Sequence, residues 1–328
     1  MMKTEIIKIL QLNREHYISG EEISKTMNVS RTAIWKVINQ LRNEGYDIES
    51  SPNKGYRLVA QTCDLNQSEL EIAMQPFELI EEVLYLETVD STNKYAKDIG
   101  NKGNFRQLLI IAERQTLGRG RLGRQWESED HSGIWMSLLL KPDIQPTLAS
   151  RLTLLAAVAV SAAIDDVTGL ETKIKWPNDI IIENKKVCGI LTEMSAELNH
   201  INYLVLGIGI NVSQMDFPDE IADKATSLKR VTDTLYNRRE IVVSFIKIFE
   251  DYYQKLILSN DFQSVVDYVI KKSATLNKEV DVITSGNSRR VFAKTIDESG
   301  NLIIVNENGE DEAIYFGEVS VRGINGYA

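Results

Sequence analysis

The chain has 328 residues, 43% hydrophobic and 26% charged, which suits a soluble globular protein of two or three domains whose core needs no staples. Its 37 basic and 47 acidic residues leave a formal net charge of −10, which argues against a nonspecific nucleic-acid binder. Two cysteines, Cys63 and Cys188, and three histidines, His16, His131 and His200, show neither a disulfide framework nor metal-ligand spacing, so no structural metal site is expected.

The first twelve residues mix charges into their apolar stretch and carry no signal-peptide cleavage pattern. No window reaches the ~18 uninterrupted apolar residues of a membrane span. A cytoplasmic protein with no membrane partner is expected, in which the sequons at Asn28 and Asn211 carry no meaning. The charge is uneven: nine basic against eight acidic residues put 1–65 at +1, which leaves the remainder at −11.

Residues 1–62 read as three helices and a hairpin. Ile6, Ile9 and Leu10 share a face of a helix over 1–12. Ser19, with Glu22 three residues on, has capping-box spacing for a short helix ending near Met27. Asn28 and Val29 form a tight turn, and Ser30 caps a helix from Arg31 to about Asn43. Ala33, Ile34, Val37, Ile38 and Leu41 make its apolar stripe. Arg31, Thr32, Trp35, Lys36, Asn39, Gln40 and Arg42 lie opposite, and Glu44-Gly45 stops it. A hairpin follows, 46–50 and 56–59, around the turn Pro52-Asn53-Lys54-Gly55. This order is that of a winged helix-turn-helix. Its second helix would present Ser30, Arg31, Thr32, Lys36, Asn39 and Arg42 to a major groove, with Lys54 on a phosphate. A protein-docking module is the other reading. Trp35 stands apart, placed to meet a neighbouring domain or a partner.

Residues 63–82 read as a linker and a polar helix. The region 83–272 alternates strands (83–87, 108–112, 134–140, 187–194, 203–210) with helices, including a nearly all-apolar helix over 148–167 and an amphipathic one over 239–258. The segment 134–140 is a candidate edge strand for a dimer. Residues 273–328 change pattern: short strands at 279–284, 290–297, 302–306 and 312–315, with turns such as Ser285-Gly286-Asn287, make a small β-barrel of SH3-like size. It is either a stability cap or a contact surface.

The sharpest chemistry lies in Gly118-Arg119-Gly120-Arg121-Leu122-Gly123-Arg124. Its GxGxxG spacing matches a dinucleotide fingerprint, yet a strand rather than a helix follows, and no Gly-Lys-Ser/Thr makes it a Walker loop. Alternating Gly and Arg gives a mobile backbone with bidentate donors for phosphate or carboxylate, expected to order when an anion arrives. Asp90-Ser91-Thr92-Asn93 follows a strand and fits either a helix cap or a polar, uncharged headgroup; Gln115 enters the same cleft. Lys175-Trp176-Pro177-Asn178-Asp179 is a turn whose oxygens also suit a metal or a hydrogen-bonding ligand. Gly189, beside Lys186 on a strand, marks a bulge or a close ligand approach, and Gly207 and Gly209 leave room for something flat. No Ser-His-Asp or Cys-His pair stands out and Cys188 has no base, so charge stabilisation fits better than a side-chain nucleophile.

DSTN (90–93), ERQTLGRGRLGRQW (113–126), KWPNDI (175–180), KKVCGILTE (185–193), GIGINV (207–212) and FGEVSVRG (316–323), in this order, resemble the bifunctional biotin protein ligases that double as biotin operon repressors. The resemblance spans essentially the whole chain. It implies a multidomain α/β protein: a winged helix, a biotin-ligase catalytic domain and an SH3-like barrel. The implied reaction makes biotinyl-5′-AMP from biotin and Mg2+-ATP, then passes biotin to a lysine of a biotin carboxyl carrier domain. By motif match Ser91, Thr92, Asn93, Gln115 and Gly189 would line the biotin pocket. Arg119, Gly120 and Arg121 would close over biotin and the adenylate phosphate, and Lys186 would stabilise charge there. Arg124, Trp126, Asp179 and Asn211 would serve the nucleotide, with Trp126 against adenine and Asp179 and Asn211 orienting Lys186, phosphates or magnesium. No metal site belongs to the protein itself. The adenylate-bound form would be a homodimer on operator DNA. A lipoate–protein ligase, a sensor with an inactive enzyme domain, and a ligase with a vestigial N-terminal domain are the alternatives.

Overall fold

The computed structural model describes residues 2–13, 15–43, 46–52, 54–61, 65–284, 287–316 and 319–323. The stop at Glu44-Gly45, Asn53 of the wing turn, Cys63, the turn at Ser285-Gly286 and Gly317-Glu318 of the last motif lie outside the described residues. The chain divides into two compact units, Met1–Glu78 and Leu79–Ala328.

The first unit holds α1 (Met2–Leu12), α2 (Gly20–Met27), α3 (Arg31–Asn43), β1 (Tyr46–Ser51), β2 (Gly55–Gln61) and α4 (Gln67–Met74). Local chemistry sets the breaks. Ser19 Oγ accepts the Glu22 N–H at 3.0 Å, Asn28 ends α2 in the left-handed region (φ 51°), and Ser30 Oγ accepts the Ala33 N–H at 3.2 Å. Ile6, Ile7 and Leu10 of α1 pack with Ile34, Ile38 and Leu41 of α3 and Leu58 of the antiparallel hairpin.

The polar helix α4 of the segment read as linker and helix is built into this unit. Glu69 is buried, and its carboxylate accepts from Tyr46 Oη at 3.0 Å and Gln11 Nε2 at 2.9 Å. Thr4 Oγ1 donates to Glu71 at 2.9 Å. The polar positions of α4 face α1 and β1, so a helix that looks solvated in sequence has a polar interface instead.

The second unit contains β3 (Glu82–Val89), α5 (Thr92–Gly100), β4 (Leu108–Gln115), β5 (Gly133–Leu140), α6 (Ala149–Thr168), β6 (Lys173–Lys175), β7 (Asp179–Ile182), β8 (Lys185–Glu197), β9 (His200–Asn211), α7 (Leu228–Thr232), α8 (Arg238–Ser259) and α9 (Gln263–Lys271). Seven strands form one mixed sheet in the order β3-β4-β5-β9-β8-β7-β6, parallel only between β3 and β4. Helix α6 has the length and composition to cross a membrane, but most of it is buried, packed against α8, α9 and the sheet.

The sheet order corrects one expectation. Strand β5, proposed as a dimer edge, lies between β4 and β9 with every residue buried. Its largely apolar run reflects burial on both faces of a central strand; the outermost strands are β3 and β6, and β6 is itself bridged at Ile174 to Ser273.

The C-terminal strands β10 (Lys278–Thr284), β11 (Asn287–Ile296), β12 (Leu302–Val305), β13 (Asp311–Ile314) and β14 (Val319–Gly323) form a five-stranded antiparallel sheet in the order β13-β12-β11-β10-β14. Strand β14 falls on the last motif and was not foreseen as a strand. Trp176 ties this sheet to the rest of the unit: its indole N–H donates to the Gly300 carbonyl at 3.0 Å and its ring meets Phe316 at 5.1 Å.

Arg238 and Glu113 form a buried ion pair, at 2.8 Å from Nη1 and 3.2 Å from Nη2, and Arg238 also reaches the Gly133 carbonyl at 3.1 Å. Both side chains are shielded from water. Arg238→Met alone should therefore destabilise the chain by about 3–5 kcal/mol, because it strands a buried carboxylate. Adding Glu113→Gln should recover much of that loss in urea denaturation; an unchanged midpoint in the single variant would contradict the pairing.

Candidate active site

Helix α5 and strands β4, β5, β8 and β9 build a polar pocket on the sheet. Ser91 is both helix cap and pocket wall: its Oγ accepts the Lys94 N–H at 3.5 Å, and the residue lines the pocket. The next residues enter a buried network. Gln115 Oε1 accepts from Thr92 N–H at 2.9 Å and Thr92 Oγ1 at 3.1 Å, and Gln115 Nε2 donates to Ser128 Oγ at 2.9 Å. Ser137 Oγ sits 2.8 Å from Thr92 Oγ1 and 2.7 Å from Asn93 Oδ1. Asn93 Nδ2 donates to Glu193 at 2.8 Å and to the Leu191 carbonyl at 3.2 Å, and Lys97 meets Glu193 at 2.6 Å. Burial pushes the Glu193 carboxyl upward, but the hydrogen bonds from Lys97 and Asn93 outweigh it and hold the group below the usual carboxylate range.

Two cavities meet here. The smaller, about 50 Å³, is lined by Ser91, Thr92, Asn93, Gln115, Arg119, Gly120, Arg121, Lys186 and Gly189 among others. The larger, about 450 Å³, has Arg121, Arg124, Trp126, Asp179 and Asn211 in its wall. The residues expected for a headgroup and those expected for a nucleotide are thus gathered in two adjoining spaces. Gly120, Arg121, Trp126, Asn178 and Lys186 belong to both.

The Gly-Arg loop, expected to wait for an anion before ordering, is here a tight turn. Gly120 N–H donates to the Arg124 carbonyl at 2.8 Å and Trp126 N–H to the Gly118 carbonyl at 3.0 Å, while Leu122 takes φ 56°. Arg121 Nη1 donates to Asn178 Oδ1 at 2.8 Å, so the KWPND turn holds the loop. Lys186 Nζ lies 2.5 Å from Asp179 Oδ1 and 5.2 Å from the centre of the Trp126 ring. Arg119 is exposed at the rim. Asn211 Nδ2 donates to the Thr226 carbonyl at 3.0 Å. Cys188 is fully buried, and burial pushes its thiol above the ordinary range, so it does not serve as a nucleophile.

The flat group expected over the strand glycines is one of the chain's own. A Cβ on Gly209 would lie 2.5 Å from Trp126 Nε1, one on Gly189 2.9 Å from the same ring, and one on Gly207 2.1 Å from Asn93 Oδ1. Sequence reasoning missed Ser128, Ser137, Glu193, Gln214, Phe217, Ile221 and Val321, and passed over Asn178 as a loop anchor. Ser137 had a signal: it is the one hydroxyl in the apolar strand GIWMSLLL.

On the first unit Thr32, Trp35 and Lys36 are exposed on α3, with Trp35 at 55%, and Asn39 is half-buried. Ser30 is the cap, Arg31 is paired with Glu21, and Lys54 lies 5.9 Å over the Tyr17 ring. Arg42 is a correction to the expected groove face. Its Nε and Nη2 donate to the Ile48 carbonyl at 2.9 and 2.6 Å, and Nη2 to Ser50 at 2.5 Å, which ties α3 to the wing. Helical periodicity marks such a residue as polar without saying whether protein or solvent receives it.

Fold and site define a class: a helix-turn-helix unit followed by an α/β unit whose sheet carries a polar pocket opening on a cation-lined cavity. Residues 3–57 match the HTH domain, 85–211 the Biotin/lipoate A/B protein ligase family and 275–322 the Biotin protein ligase C terminal domain. The chain is 41% identical over 255 residues to the bifunctional ligase/repressor BirA of Bacillus spizizenii, spanning 77% of this chain and 78% of that one. It is 26% identical over 315 residues to BirA of Escherichia coli, 96% of each chain. The structure of the biotin protein ligase from Aquifex aeolicus in complex with biotin and ATP superposes with a TM-score of 0.66 at 32% identity, over 74% of this chain and 99% of that one. The chain belongs to the biotin protein ligase family, in the form that carries an N-terminal helix-turn-helix domain.

The seating of Trp126 on Gly209 is directly testable. Gly209→Ala should unseat the indole and shift tryptophan emission to the red, and the shift should vanish in a Trp126→Phe background. An unshifted spectrum would place the indole elsewhere.

Proposed function

We propose that this chain is an ATP-dependent biotin protein ligase and, in its adenylate-bound dimeric form, a repressor of biotin genes. The observation that carries the enzymatic half is the wall shared by the two cavities, where Arg121 and Lys186 stand between a polar pocket and a larger cationic one. Biotin's ureido ring suits the uncharged polar network of Thr92, Asn93, Gln115 and Ser137, and its carboxylate would emerge at the shared wall. ATP suits the larger cavity.

Adenylation joins two anions. A biotin carboxylate oxygen attacks the α-phosphorus, the bond from that phosphorus to the bridging oxygen breaks, and pyrophosphate leaves. Arg119, Arg121 and Lys186 would lower the repulsion and stabilise the charge that gathers on the α-phosphate. Asn178 and Asp179 aim two of these cations, and aiming them beforehand spares reorganisation during the reaction. In the second step a carrier lysine amine attacks the acyl carbon, AMP departs with the C–O electron pair, and the amine proton passes to solvent. Until then the Gly-Arg loop over the adenylate would keep water from the mixed anhydride.

Magnesium would arrive as part of its ATP complex. Among the described residues no three His, Cys, Asp or Glu side chains come together, and Asp179 on the cavity wall is engaged by Lys186. The cations Arg121, Arg124 and Lys186 on the cavity wall would face the phosphates, and Asp179 and Asn211 would be the residues to orient phosphates or the magnesium they carry.

Titration calorimetry with biotin tests the central reading. Wild type should bind biotin and release further heat when ATP is present, and Arg121→Ala should bind biotin but fail to retain the adenylate. If lipoate or another acid titrates and biotin does not, the assignment is wrong.

The regulatory half rests on α3. Lys36→Ala should weaken binding to operator DNA across sequences and lower the salt slope by roughly one unit, measured with biotin and ATP present. Arg42→Ala should lower the melting temperature of the first unit and leave the salt slope of the folded protein unchanged. Equal effects on DNA from both variants would contradict the separation of roles.

A further inference from the structure

We infer that Glu193 is a positioning residue for the headgroup pocket: its carboxylate, set behind Asn93, fixes the direction of donation along the buried polar chain of Asn93, Ser137 and Thr92. This rests on the biotin reading of the smaller cavity. The two carboxylate oxygens are divided between two donors. Oε2 accepts from Asn93 Nδ2 at 2.8 Å and Oε1 from Lys97 Nζ at 2.6 Å. Asn93 Nδ2 also donates to the Leu191 carbonyl at 3.2 Å, so the amide nitrogen faces two groups that only accept. Its oxygen is thereby turned to Ser137 Oγ, at 2.7 Å. The amide lies directly on the backbone of Gly207, where a Cβ would fall 2.1 Å from Asn93 Oδ1.

Proton counting carries the effect into the pocket. Asn93 Oδ1 only accepts, so Ser137 must donate to it. Ser137 Oγ also lies 2.8 Å from Thr92 Oγ1, which lies 3.1 Å from Gln115 Oε1, another acceptor. Three oxygen–oxygen contacts thus share two hydroxyl protons, and the carboxylate decides which way they point. Protonation of Glu193 would let the Asn93 amide turn over, present its nitrogen to Ser137 and reverse the chain. Thr92, Asn93 and Gln115 line the smaller cavity, so the wall that a headgroup meets would change with no cavity residue replaced.

Among the described residues the charged groups facing Glu193 are Lys97 of α5 and Arg119 of the Gly-Arg loop; its neighbour on β9, Val205, carries no charge. Burial pushes the carboxyl upward, and the bonds from Lys97 and Asn93 overcome it, so the wild-type pocket keeps one direction of donation down to below the usual carboxylate range. Without Lys97 the effect of burial would prevail. Binding that needs the ionised form would then be full above the raised value and lost as pH falls through it.

The test titrates biotin into the full chain between about pH 8 and about pH 5.5, comparing wild type, Lys97→Met and Lys97→Met/Glu193→Gln. Wild type should hold its affinity across the range. Lys97→Met should bind close to wild type at the alkaline end and about tenfold more weakly at the acid end. The double variant keeps one side-chain oxygen for Asn93 and removes the titration, so its affinity should not change with pH. A Lys97→Met curve parallel to wild type, or a decline that survives in the double variant, overturns the assignment and leaves the biotin reading standing. If either Lys97→Met chain does not fold, Glu193→Gln with Lys97 in place decides. One oxygen must then serve two donors, so biotin should bind about tenfold more weakly, and affinity equal to wild type overturns the assignment. Wild type that binds no biotin removes the biotin reading and this one together.

Discussion

Three missing side chains carve the site. Strands β8 and β9 are central, hydrogen-bonded and covered, so nothing could approach their face if Gly189, Gly207 and Gly209 carried a Cβ; the clashes would fall at 2.1–2.9 Å. Space on Gly207 admits the Asn93 amide, and space on Gly189 and Gly209 admits the Trp126 indole. The Glu193–Lys97 pair then fixes Asn93 from one side, while Trp126 and Asp179 set the height and direction of Lys186. Glycine weakens a strand, and these strands bear that cost where the backbone must be reached.

The KWPND turn serves two structures at once. Asn178 holds Arg121 of the loop, and its Nδ2 donates to the Ile190 carbonyl at 2.8 Å, so loop and sheet share one side chain. Two residues earlier, Trp176 is sunk toward the C-terminal sheet. That sheet adds Val321 and Gly323 to the wall of the larger cavity. Of the two roles left open for the C-terminal strands, stability cap or contact surface, the geometry supports a third: they complete the space in which the nucleotide would lie.

Much of this was legible because the chemistry is local. Caps at Ser19 and Ser30, the apolar stripe of α3 and the Gly-Arg loop each announce themselves within a few residues. What was not legible depended on partners far away in sequence. The run GIWMSLLL is apolar whether a strand is central or at an edge, so β5 was misplaced as a dimer edge. Arg42 is polar whether it meets DNA or the Ile48 carbonyl. Glu69 looks solvated until Tyr46 and Gln11 arrive. Gln214 has no motif at all, and only the cavity wall brings it into view.

The buried Glu113–Arg238 pair explains how a glycine-rich loop can act with precision. Glu113 lies on β4 just before the loop, and Gly133, which opens β5, lies just after it; Arg238 of α8 binds both. His131 Nδ1 also lies 3.2 Å from Glu113, and Tyr85 donates to that carboxylate at 2.9 Å. The two ends of the loop are therefore pinned to one helix and to each other, and freedom is confined to the residues between. A loop with fixed ends loses less entropy on closing over a ligand than one with free ends. Arg238 thus anchors both flanks of the loop that carries Arg119 and Arg121. A variant that loosens that anchor would weaken fold and loop together, while Asn178, which touches only the loop tip and the sheet, separates the two effects.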